Sequence, residues 1–164
     1  MDKNYILTPD IVARKMKRMA YEILENNFDE QQIILAGIRE KGLVIARNMQ
    51  VLLNEISKIS TELISINLDK TNPKEVTPGR DISFRDKVIL LIDDVSNSGK
   101  TLMYALKPFL NSDLKKIQTL VLVERSHNTF PVKPDYVGLS VATTLQEHIF
   151  VEVEGDRIGG AWLE

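Results

Sequence analysis

Residues 88–92 read VILLI, five apolar side chains in a row with no polar residue between them. A half-exposed strand alternates, so an unbroken run of this length marks a strand buried on both faces, the usual state of a central strand in a parallel sheet. Two further runs have the same character, Gln32–Ile38 (QIILAGI) and Ile117–Val123 (IQTLVLV), and Leu63–Leu68 (LISINL), alternating at its end, reads as another strand, between the first run and the central one. The first and the central run are each followed by a short polar loop and then by apolar residues at helical spacing. For the first these are Leu43, Ile45, Ala46, Met49, Leu52 and Leu53; for the central run they are Leu102, Ala105 and Leu106. Strand, loop and helix in repetition predict an α/β domain, a parallel sheet with helices on both sides.

The loop after the central run carries the chemistry. Asp93 and Asp94 come at once, then Ser96-Asn97-Ser98-Gly99-Lys100-Thr101. A strand that feeds a helix through such a loop presents free backbone N–H groups to an anion, and the glycine lets the backbone approach closely. The hydroxyls of Ser96, Ser98 and Thr101 add donors. Two carboxylates beside an anion site suit a ligand that carries hydroxyls, a phosphate and a divalent cation together, as a sugar phosphate does. A nucleoside triphosphate loop is excluded, because its signature needs a glycine five residues before Gly99, where Asp94 stands. The loop after the first run, Arg39-Glu40-Lys41-Gly42, is a second anion-competent turn, and loops at the carboxyl ends of parallel strands converge on one crevice.

Composition sets the remaining bounds. At 164 residues the chain is of single-domain size, and its net charge of −2 gives no bulk drive toward nucleic acid or membrane. Cysteine is absent, which removes disulfides, thiol nucleophiles and thiolate metal sites. No apolar stretch approaches the ~20 residues needed to span a bilayer, and MDKNYILTPD lacks the apolar core of a signal peptide, so a cytoplasmic protein is expected. Thr8-Pro9-Asp10 reads as a helix start, followed by Val12, Met16, Met19, Ala20, Ile23 and Leu24 at helical spacing. The other face of that helix holds Arg14, Lys15, Lys17 and Arg18, either a solvated charged face or a basic patch for a polyanion such as RNA. Between Asp69 and Arg80 the chain is polar and broken, a surface loop or arm; Ile149, Val151 and Val153 alternate before a turn at Gly155-Asp156, a closing strand or hairpin.

Apolar strand, acidic pair, small polar residues, Gly99 and Thr101 together resemble the phosphoribosyl pyrophosphate signature of the type I phosphoribosyltransferases. The order TPDIVARKMKRMAYEILENN, AGIREKGLVIA, DDVSNSGKT and VERSHNTFPVKPDYVG is similar to the PyrR-like group, which pairs uracil phosphoribosyltransferase activity with RNA-binding control. The resemblance implies one domain over 1–164, with a core at about 8–125 and a hood at about 126–164. It implies transfer of a 5-phosphoribosyl group to a nucleobase, uracil foremost, with a hypoxanthine/guanine enzyme or a nucleotide-sensing RNA-binding regulator as alternatives. The implied catalytic set is Asp93, Asp94 and Lys41. Ser96, Asn97, Ser98, Gly99, Lys100 and Thr101 would hold the 5′-phosphate, and Arg39, Glu40, Lys41 and Gly42 the pyrophosphate. Tyr136 and Val137 would meet the base. Mg²⁺ is the implied cofactor, held indirectly by Asp93 and Asp94 through ribose hydroxyls or water. A flexible lid is implied at 69–80, with Lys70, Lys74 and Arg80 meeting the diphosphate. The implied partners are phosphoribosyl pyrophosphate, a nucleobase and RNA at Arg14, Lys15, Lys17 and Arg18, in a homo-oligomer, a dimer. Two departures stand out: Asn97 and Glu124 occupy positions where the purine enzymes carry an Asp and a Lys.

Overall fold

The computed structural model describes every residue except Met1, Lys70, Pro73, Lys74, Thr143 and Leu145. Its large sheet has six strands in the order β4-β3-β2-β5-β6-β7, with β2 at Gln32–Ile38, β3 at Ser60–Leu68, β4 at Val76–Pro78, β5 at Val88–Ser96, β6 at Lys116–Arg125 and β7 at Tyr136–Val141. All neighbours are parallel except β3 and β4. The VILLI run lies in the middle, each of its residues at most 3% exposed. Burying such a side chain stabilises by roughly 1.5–3 kcal/mol, so the run settles which strand is central.

Helices cover both faces. α1 (Pro9–Asn26) and α2 (Arg39–Ile56) pack on one, meeting Ile33, Leu35, Leu90, Ile92 and Leu122. α3 (Lys100–Ala105) and α4 (Lys107–Leu110) pack on the other, where Leu102, Ala105 and Phe109 meet Ile34, Ile89, Leu91 and Val121. Thr8 caps α1, its hydroxyl accepting from the Ile11 N–H at 3.5 Å. The helix after β5 is broken at Leu106; Pro108 has no N–H to continue the ladder, so the second piece starts afresh.

Reading the parallel strands alone, the first strand of the set, β2, has β3 on one side and β5 on the other. The chain therefore reverses its direction of travel across the sheet between β2 and β5, a topological switch point where the strand ends open into a crevice. The loop after β5 is one of the two anion-competent turns of the sequence; the other, Arg39–Gly42, expected as a loop, is already the first turn of α2, which follows β2 directly.

A second, three-stranded antiparallel sheet follows the order β1-β9-β8, with β1 at Asn4–Leu7, β8 at Ile149–Glu154 and β9 at Arg157–Leu163. The expected hairpin is there. Its third strand comes from the N-terminus, and β7, expected in the hood, runs in the large sheet. The division near residue 126 thus does not follow the strands. The segment from Asp69 also departs from a plain loop, since β4 returns along the edge of β3. Among the described residues no helix is long and apolar enough to cross a membrane.

Candidate active site

Asp93 and Asp94 lie on the last turn of pleat before the loop, 0% and 6% exposed, and the Asp94 N–H donates to Asp93 Oδ1 at 2.9 Å. Asp94 lines two clefts. One, of about 320 Å³, is also bounded by Val95, Ser96, the 97–101 loop and Ile149; the other, of about 420 Å³, is bounded by Ile38, Arg39, Glu40 and Lys41. Both loops expected to bind anions thus face a common carboxylate.

Glycine makes this proximity possible. A Cβ on Gly42 would stand 2.6 Å from the Ile92 carbonyl oxygen and 3.2 Å from Asp93 Cα, so only a bare backbone lets the start of α2 rest against the acidic end of β5. The N-terminus of α2 has no side-chain cap, because Ile38 occupies the capping position. Its first N–H groups are left for solvent or a ligand. Arg39 and Lys41 stand in the same first turn, although cations there oppose the helix dipole by about 0.3–1 kcal/mol each. An anion at this point removes the conflict. Arg39 also has a left-handed backbone, φ 46°.

On the other loop, Gly99 has φ +87°. Ser98 Oγ accepts from the Lys100 N–H at 3.3 Å, and the Gly99 carbonyl accepts from Met103 N–H at 3.0 Å, which starts α3. Ser96 Oγ is buried without a hydrogen-bond partner among the described residues, an orphaned donor beside the cleft of the kind a ligand satisfies. Among the described residues no three metal-ligating side chains cluster. That donor set suits Mg²⁺, which keeps its waters and needs one or two carboxylates plus substrate phosphates.

Other expected residues fall elsewhere. The Tyr136 ring is 2% exposed in the core under α1, and its hydroxyl donates to Gln118 Oε1 at 2.8 Å; burial, the largest influence on it, pushes the phenol pKa up. Val137 lies two strands from Asp93 in the same row, through Val121, but its carbonyl accepts from Arg18 Nη2 at 2.8 Å. Neither residue lines either of the two clefts. Arg18 also reaches the Gly138 carbonyl and pairs with Glu22, so it leaves the expected basic patch to Arg14, Lys15 and Lys17. Arg80, expected over the diphosphate, instead pairs with Glu62 and donates to the Leu63 carbonyl in the amino-terminal half of β3. Lys70 and Lys74 lie outside the described residues. Sequence reasoning missed Val95 and Ile149 as cleft walls. Ile149 had a signal in the β8 alternation, but that shows which face is buried and not what it faces.

A phosphoribosyl transferase domain model matches residues 5–155. The chain belongs to this family. A Streptococcus pneumoniae protein named "Bifunctional protein PyrR" is 33% identical over 148 residues, covering 87% of this phosphoribosyltransferase and 85% of the relative. The family and its PyrR-like affinity, expected from the motifs, are borne out, and the protein is a pentosyltransferase. Among solved structures, a hypoxanthine phosphoribosyltransferase from Trypanosoma cruzi superposes with a TM-score of 0.79 at 13% identity, covering 99% of this chain and 98% of that one. A hypoxanthine-guanine phosphoribosyltransferase from Bacillus anthracis gives 0.78 at 17%, covering 97% and 96%. Those likenesses establish the fold.

Proposed function

We propose that this phosphoribosyltransferase moves the 5-phosphoribosyl group of phosphoribosyl pyrophosphate to a ring nitrogen of a nucleobase, uracil before the purines. The bond from C1 to the diphosphate oxygen breaks, the bond from C1 to nitrogen forms, and the nitrogen's proton leaves with the pyrophosphate. One observation carries the reading: Asp94 is the wall between a cleft lined by the Ser96–Thr101 loop and a cleft lined by Arg39 and Lys41. A sugar with anions at both ends fits across that wall.

The loop N–H groups and hydroxyls take the 5′-phosphate, so that binding energy remote from C1 fixes the reacting geometry. Asp94, which lines both clefts, holds the ribose hydroxyls and stabilises positive charge as it builds on the ring. Asp93, buried behind it, accepts from the Asp94 N–H and adds its charge to the same end of the strand. Lys41 and the open N–H groups of α2 meet the negative charge that develops on the departing diphosphate. The Asp93–Asp94 pair would hold Mg²⁺ indirectly, through waters and ribose hydroxyls, and the ion would supply positive charge against the diphosphate. The apolar surfaces of Val95 and Ile149 are left for the flat face of the base. Uracil is placed first on the PyrR likeness and on Asn97 and Glu124, which replace the groups expected of a purine enzyme.

The test is pyrophosphate release with phosphoribosyl pyrophosphate, Mg²⁺ and each of uracil, hypoxanthine, guanine, xanthine and adenine. Release with uracil, lost on chelation of the metal, is expected. Release with a purine alone overturns the choice of base, and silence with all five overturns the reaction.

A further inference from the structure

The loop assigned to the 5′-phosphate is braced from behind by a segment distant in sequence. After β6 the chain passes through Asn128–Val132 before it reaches β7. Two of this strap's N–H groups, on Thr129 and Phe130, donate to the carbonyl of Ser98 at 3.1 and 3.0 Å. Asn128 Nδ2 donates to the carbonyl of Val132 at 3.0 Å and so closes the strap on itself. Gly99 completes the contact, since a Cβ there would stand 2.8 Å from the Val132 carbonyl oxygen and 3.2 Å from that of Phe130.

The direction of these bonds matters. In a trans peptide the C=O and the following N–H point opposite ways. With Ser98 O turned to the strap, the N–H of Gly99 is turned away from it, toward the cleft that Ser98 and Gly99 line. We infer that Asn128 is a positioning residue for the 5′-phosphate: it fixes the strap, the strap fixes the Ser98–Gly99 peptide, and that peptide aims a donor at the phosphate. This rests on the phosphoribosyl reading above and adds a residue to it.

Asn128 is suited to a role that stability does not demand. Its Oδ1 is buried with no hydrogen-bond partner among the described residues. Truncation removes a bond but also removes an orphaned acceptor, two changes that offset in stability. The strap loses its closure in either case.

The experiment compares two ligands that occupy opposite ends of the site. Calorimetry measures ribose 5-phosphate and inorganic pyrophosphate with Mg²⁺ on wild type, Asn128→Ala and Asn128→Asp, with thermal melting alongside. A loss of about 5- to 10-fold in ribose 5-phosphate affinity is expected for Asn128→Ala, the scale of one misaimed hydrogen bond. Pyrophosphate affinity is expected to stay within about 2-fold, as sites without shared partners act independently. Asn128→Asp, which keeps the shape and loses the donor, should be at least as weak toward ribose 5-phosphate. Equal losses for both ligands, or none, overturn the inference while wild-type binding of both keeps the phosphoribosyl reading. A wild type that binds neither ligand overturns that reading and the inference with it.

Discussion

The two segments proposed to bind anions at the switch point are built in different ways. The loop after β5 is braced: a left-handed glycine, a strap on its outer side and a carbonyl held by two N–H groups define its backbone before any ligand arrives. The junction after β2 is itself a helix start, without a side-chain cap, with a non-glycine residue of positive φ and with cations where the dipole disfavours them. One loop is shaped in advance, while the other holds conflicts that an anion resolves. For a transferase the asymmetry is sensible. In the proposed reaction the 5′-phosphate stays bound throughout, whereas the pyrophosphate must be gripped in the transition state and then released.

The carboxylate shared by the two clefts should show the largest effect. Asp94→Asn keeps the shape but removes the charge that faces the developing cation at C1, so kcat should fall about 100- to 1,000-fold, about 3–4 kcal/mol of transition-state stabilisation. Steady-state kinetics with an unchanged melting temperature is the check. A fall in melting temperature of the same size in free energy would make Asp94 a fold residue, and the comparison of the loops would lose its common centre.

Next comes Gly42, where the loops touch. Gly42→Ala forces a methyl group to within 2.6 Å of the Ile92 carbonyl oxygen, and backbone cannot swing away as a side chain can. Overpacking of this kind costs about 1–3 kcal/mol. The start of α2 should move off β5, and both the denaturation midpoint and the KM for phosphoribosyl pyrophosphate should worsen. Gly99→Ala tests the braced side. A side chain at φ +87° pays about 1–2 kcal/mol for the left-handed backbone and also meets Val132 O. Its loss should appear mainly in ribose 5-phosphate affinity.

Much of this was legible in the sequence because it is local. The apolar strand that carries Asp93-Asp94, the Gly99 turn and the basic Arg39–Gly42 segment each lie within about ten residues, and periodicity with turn chemistry reads that range, although it took 39–42 for a loop where α2 has already begun. What stayed hidden depends on distant partners. Nothing near Tyr5 announces that its strand pairs with Trp162, and nothing near Asn128 announces Ser98. Tyr136 was expected at the base, but Gln118 and the underside of α1 claim its side chain. Arg18 and Arg80 show the same limit, since a cation's partner is chosen by the packing of elements that the sequence does not place.

The smallest effect should come from Arg39, and it separates strain from binding. Its φ of 46° suits glycine better than arginine. Arg39→Gly therefore removes a left-handed backbone penalty of about 1 kcal/mol but gives the unfolded chain more freedom, and a glycine in a helical turn returns up to about 1 kcal/mol of that. The net change in melting temperature should be within a few degrees of zero. Pyrophosphate affinity should nevertheless fall, because a cation has left the uncapped end of α2, and the fall should shrink as salt is raised. If the variant instead melts well below wild type while binding pyrophosphate normally, the arginine is there to hold α2 in place. The unbraced loop would then be as settled as its neighbour, and the asymmetry between the two would have to be sought in their ligands.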